Sequence, residues 1–93
     1  GGGLPENLPR CLNLGQSVEI YRDSWEIPPL FSWIAETGAV NEAAMRDTFN
    51  LGIGFVVIVS PETAASAVSW FSSQGITAYQ IGRTIEGKGD LLW

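Results

Sequence analysis

Leu51-Gly52-Ile53-Gly54-Phe55-Val56-Val57-Ile58-Val59 is the stretch whose reading decides the fold. It is rich in β-branched residues and apolar on both alternating faces after Gly54, the pattern of a central strand covered on both sides. Ser60 follows as an N-cap, with Pro61 at the first helical position and Gly75 beyond the end. Between them Ala64, Ala67, Val68 and Phe71 recur at the spacing of one helix face, which predicts a helix. Gly75 leads into Ile76 to Ile81, a second predicted strand, which Gly82 breaks before Thr84-Ile85-Glu86. Gly87-Lys88-Gly89-Asp90 is turn chemistry ahead of Leu91-Leu92-Trp93, so the chain is expected to close on a hairpin.

Upstream of the strand, Asn41 is placed to cap a helix over 42–49 through its side-chain oxygen. Val40 and Met45 have the spacing of a hydrophobic staple around that cap. Pro28 and Pro29 open an earlier helix over 28–37, with Leu30, Phe31, Trp33 and Ile34 on one side and Gly38 as the C-terminal cap. Val18 to Tyr21 alternate as a short strand over 17–21, and Pro5 to Leu12 read as a helical turn. The order is turn, strand, helix, helix, strand, helix, strand, strand. The fold class is α+β, a mixed sheet packed with helices in one domain.

Apolar residues make up 45% of the chain and charged ones only 16%, which excludes intrinsic disorder. Four tryptophans, four phenylalanines and two tyrosines are more core material than a small surface covers, so part of the apolar area is expected to serve an interface. Ten acidic against five scattered basic side chains leave no stripe to neutralise a nucleic acid. The longest apolar run, Phe55 to Val59, is far too short for a membrane helix. Cys11 has no partner for an internal disulfide, and its apolar flanks suggest burial in a reducing, cytosol-like compartment.

With no histidine and one cysteine, the chain holds no Ser-His-Asp or Cys-His constellation and no conventional transition-metal site. Its acids sit at turns and helix starts, where solvated carboxylates are ordinary. Two places remain. Gly1, Gly2 and Gly3 run into a helical turn carrying Glu6, Asn7 and Arg10, and such a corner can close backbone N–H groups on a phosphate. Three glycines at a chain end are equally well read as a tail. Asn50 followed by Gly52 and Gly54 leaves a slot on one strand face for a ligand or another backbone. The plainer reading has Asn50 close the helix in a left-handed conformation while the glycines admit a neighbouring helix. Trp25, Trp33 and Trp70 read as core or interface.

Taken together, Gly-Gly-Gly-Leu-Pro-Glu-Asn-Leu-Pro-Arg10 and Arg46-Asp-Thr-Phe-Asn-Leu-Gly-Ile-Gly54 resemble paired motifs of the aminoimidazole ribonucleotide synthetase family, also called phosphoribosylformylglycinamidine cyclo-ligase. Ser24-Trp25-Glu26-Ile27-Pro28-Pro29-Leu30-Phe31 is similar to the family's Ser-Trp-x-x-Pro-x-hydrophobic-Phe segment. Tyr79-Gln80-Ile81-Gly82 is similar to its late Ile-Gly strand break. The resemblance spans essentially the whole chain.

It implies that the chain is the C-terminal portion of a longer enzyme, beginning inside a His-[Ile/Leu]-Thr-Gly-Gly-Gly motif whose histidine lies upstream. That family closes the imidazole ring in purine biosynthesis: ATP phosphorylates the amide oxygen of formylglycinamidine ribonucleotide, a nitrogen attacks, and phosphate leaves. The resemblance implies that ATP and Mg²⁺ are held mainly by the absent N-terminal domain, that the full-length protein is a cytoplasmic homodimer, or organellar given a transit peptide, and that this chain alone is inactive. Carried over by position, it makes Gly1, Gly2, Gly3, Glu6, Asn7 and Arg10 one substrate-facing corner and Asn50, Gly52 and Gly54 a second edge. The alternatives are a related ATP-dependent enzyme of the same superfamily and a stand-alone, non-catalytic binding module.

Overall fold

The computed structural model describes residues 2–93; Gly1 lies outside them. The first helix, α1 (Gly3–Asn7), passes directly into a 3₁₀ turn over Leu8–Cys11. Strand β1 (Gln16–Ile20) follows, then α2 (Pro29–Thr37), α3 (Glu42–Thr48) and α4 (Pro61–Ser73), and finally β2 (Gly82–Glu86) and β3 (Leu91–Leu92). Four α-helices and a three-stranded mixed sheet make this an α+β fold among the described residues.

Helix boundaries follow local chemistry. The Asn41 side chain accepts a hydrogen bond from the Ala44 amide at 2.8 Å, capping α3 as its position predicts. At the end of α4 the Ile76 amide donates to the Phe71 carbonyl and Gly75 takes φ 81°, the left-handed close expected of glycine there. Ser60 holds the N-cap place of α4, but its hydroxyl pairs with that of Thr63 and not with a backbone amide. At the end of α2 the left-handed residue is Ala39, not Gly38, and the Val40 amide donating to the Ala35 carbonyl completes the close one residue later than expected. The inward face of α2 is Phe31, Ile34 and Ala35, at helical spacing, while Leu30 and Trp33 point outward.

The sheet differs more. Its order is β2-β1-β3, with β1 in the middle, antiparallel to β2 and parallel to β3. The expected terminal hairpin is therefore not formed: the turn at 87–90 carries the chain past β1, and β2 and β3 pair with opposite edges of it. The stretches 53–60 and 76–81 form no strand among the described residues, although the Ile81 carbonyl accepts from the Tyr21 amide at 2.7 Å. The central strand expected over 51–59 is therefore not formed: apolar composition shows what a segment can bury, but a strand also needs a neighbour to take its backbone hydrogen bonds.

Leu4, Leu8, Val18, Ile20, Trp25, Met45 and Leu51 form the buried core, to which β1, the opening helical turns, α3 and the turn after α3 all contribute. Cys11 is exposed, contrary to expectation, because Leu8 and Leu12 take the inward positions of that turn. The other half of the molecule is thin. Phe55 is 87% exposed, and Val57, Ile58, Trp70 and Ile76 are exposed too. The accessible surface is 6485 Å², against about 5,200 Å² for a compact monomer of this mass. The excess lies where 53–59, α4 and 76–81 leave apolar faces uncovered.

Candidate functional site

Gly3 is where the first glycine-rich motif meets the second. It is buried with φ 59°, and a Cβ there would collide with the Arg46 carbonyl oxygen and stand 2.8 Å from that of Phe49. Only a residue without a side chain lets the start of α1 lie this close to the last turn of α3. Two stretches more than forty residues apart in sequence thus form one continuous corner.

Around that corner the side chains are committed to one another. The Glu6 carboxylate folds back over Gly2, and the Arg10 guanidinium reaches Glu6 Oε1 at 3.4 Å, both side chains lying exposed. Such an exposed pair contributes little to stability. Asn7 Nδ2 donates to the Gly3 carbonyl at 2.8 Å, fixing the end of the short helix to its beginning. Gly1, the remaining predicted member, lies outside the described residues.

On the second edge, Asn50 is not left-handed, which removes the helix-closing reading of that residue. The left-handed positions are Leu51, φ 56°, and Gly52, φ 98°. Asn50 Oδ1 instead accepts the Gly52 amide at 2.9 Å, closing a tight side-chain turn on the exposed rim. Gly52 does admit a close neighbour, but it is the Pro28 ring: a Cβ on Gly52 would stand 2.6 Å from Pro28 Cδ. Gly54 has open space about it. Gly52 and Gly54 also border an apolar cavity of about 880 Å³ between the 53–59 stretch, α4 and 76–84.

The sequence reading placed Trp25 in the core or an interface and Pro28 at a helix start, as found, and missed their contacts with the turn after α3. The Trp25 indole N–H donates to the Leu51 carbonyl at 3.1 Å in a buried contact. Trp93 leans on Trp25 at 6.4 Å between ring centroids, and the Arg46 guanidinium lies 4.8 Å above the Trp93 ring. A tryptophan whose ring is buried nearly always finds a partner for its N–H, the one signal that pointed to such a bond. No group of three His, Cys, Asp or Glu side chains among the described residues is arranged to hold a metal ion. No described helix is long and apolar enough to cross a membrane.

The chain is 62% identical over 92 residues to the phosphoribosylformylglycinamidine cyclo-ligase of Rippkaea orientalis, covering 99% of this chain and 27% of that protein. It is 56% identical over 93 residues to the protein of that name in Synechocystis, again 27% of its length. Against the Synechococcus elongatus protein of that name the identity is 46% over 92 residues. The chain thus spans about a quarter of the length of these curated relatives. The family model described as AIR synthase related protein, C-terminal domain, matches residues 1–93. The chain belongs to the AIR synthase related protein family, and the part of that family it matches is the C-terminal domain.

Proposed function

We propose that this chain forms one wall of the active-site cleft of a phosphoribosylformylglycinamidine cyclo-ligase, an ATP-dependent ligase of purine biosynthesis acting on formylglycinamidine ribonucleotide. The observation that carries the proposal is the seating of Gly3 on the Arg46 and Phe49 carbonyls, which joins both family motifs into one corner. In this reading Gly1, Gly2, Gly3, Glu6, Asn7 and Arg10 line one side of the substrate and Asn50, Gly52 and Gly54 the other. Relatives carrying the cyclo-ligase name support it.

Ring closure needs the amide oxygen turned into a leaving group and the attacking nitrogen held against the same carbon. When bound, ATP supplies the phosphoryl group for the first requirement. This chain's contribution is to the second, through position: Asn50, whose Oδ1 holds the Gly52 amide, keeps its side-chain N–H groups on the exposed rim to donate to the substrate, and the side-chain-free glycines allow close approach. In this proposal ATP and Mg²⁺ are held mainly by the N-terminal domain of the full-length protein. The full-length protein is a homodimer of the cytoplasm in this proposal.

The test is ATP-dependent formation of aminoimidazole ribonucleotide by the full-length protein. Wild type is expected to turn over, Asn50→Ala to lose at least tenfold in kcat/KM, and the 93-residue chain alone to show no turnover. Full activity in Asn50→Ala, or ring closure by the isolated chain, would sink the proposal.

A further inference from the structure

The turn that carries Asn50 is built from a conformation its sequence does not favour. Leu51 is a buried, branched residue at φ 56°, a left-handed backbone that an ordinary side chain disfavours. Strained residues of this kind persist only where their surroundings over-determine them. Here the surroundings come from one distant stretch. The Trp25 indole donates to the Leu51 carbonyl at 3.1 Å, and the Pro28 ring fills the space beside Gly52. The Leu51–Gly52 peptide is thereby gripped from two sides by residues three apart in the segment that leads into α2.

Neither residue is part of the predicted corner. Trp25 is buried, and its N–H is spent on the backbone, so it has no polar atom left for a substrate. Its effect must pass through the turn. The geometry points to Trp25 and Pro28 as positioning residues: they clamp the Leu51–Gly52 peptide so that Asn50 and the Gly52 backbone stay presented at the corner shared with Gly3. This rests on the reading of that corner as a substrate site, but the clamp itself can be observed without any substrate.

The experiment uses the full-length protein with Trp25→Phe, which keeps an aromatic ring in the core while removing the N–H and part of the indole, and Pro28→Ala, which removes the ring atoms beside Gly52. Amide hydrogen exchange at Gly52 reports the clamp directly, and steady-state kinetics report its use. In Trp25→Phe Gly52 exchange is expected to quicken by about threefold to tenfold, the scale of one net hydrogen bond, and in Pro28→Ala, which loses only packing, to quicken measurably as well. The KM for the amidine ribonucleotide should rise by a similar factor, with the KM for ATP and kcat near wild type. A general loss of packing would move all three together.

Unchanged Gly52 exchange in a folded Trp25→Phe protein overturns the clamp. Quickened exchange with unchanged substrate KM overturns its positioning role. If Trp25→Phe does not fold, Pro28→Ala decides by the same readouts. If wild type shows no ring closure, the functional reading of the corner fails, and the clamp stands or falls on exchange alone.

Discussion

The Ser17 hydroxyl donates to Asp90 Oδ1 at 2.5 Å, and the Asp90 amide returns a hydrogen bond to Ser17 Oγ at 3.3 Å. Ser17 is fully buried on the middle strand, and Asp90 stands immediately before β3. This reciprocal pair pins the parallel edge of the sheet, whose ladder is otherwise only two residues long.

Acid should loosen that edge. The hydrogen bond from Ser17, then Asp90's own amide, and further down the Lys88 backbone and charge hold the Asp90 carboxyl below its ordinary value of 3.8. A carboxylate depressed in the folded state adds stability that is present above the unfolded value and lost as pH falls through the folded one. The thermal midpoint should therefore fall as pH drops below about 4. Ser17→Ala should flatten this dependence; a Ser17→Ala protein with the full wild-type acid sensitivity would count against the assignment.

Gly3→Ala should separate the two motifs. The added methyl meets two backbone carbonyls that cannot rotate away, and φ 59° is itself unfavourable for alanine. A loss of about 2–4 kcal/mol is expected from overpacking and left-handed strain combined. Gly15→Ala is the control: Gly15 has φ 82° but nothing within 4 Å, so it should cost only the strain, about 1–2 kcal/mol. Denaturant titration of both variants distinguishes crowding from backbone conformation.

Ser24→Ala should be neutral or stabilising. The Ser24 hydroxyl oxygen is buried and is left without a hydrogen-bond partner among the described residues. Removing an unsatisfied buried hydroxyl recovers its desolvation cost, up to about 1 kcal/mol after the lost packing of one oxygen. A clear drop in the thermal midpoint would show that the hydroxyl has a partner in solution.

Phe55→Ser with Ile58→Ser should act in opposite directions in the two forms of the protein. Both side chains are exposed in this chain, so the isolated chain should bind an apolar dye and self-associate, and the double substitution should reduce both. In the full-length protein, where the remaining sequence is expected to cover these faces, the same change should destabilise by about 1.5–3 kcal/mol per site. Dye binding and thermal melting, run on both forms, check it.

The helices were legible because their signals are local. Asn41, Pro61 and Gly75 each declare a boundary within a few residues of where it falls. The sheet was not, because strand pairing is decided by residues far apart: nothing near Val18 says that Thr84 and Leu91 will flank it. The 53–59 stretch looked more like a central strand than β1 did, since composition records what a segment can bury and not which neighbour reaches it. The site divided along the same line. Both glycine motifs could be read and matched to a family, yet their meeting at Gly3, the left-handed turn at Leu51 and the grip of Trp25 and Pro28 are contacts between segments, invisible to spacing along the chain.

Because β1 takes both of its partners from residues 82–92, well after it in sequence, its place in the sheet also fixes an order of events on the ribosome. Gln16–Ile20 is synthesised before either of these neighbours and must wait as an unpaired ribbon until β2 and then β3 follow to dock beside it. Premature termination even a few codons short of Leu91 would deprive that ribbon of its parallel neighbour.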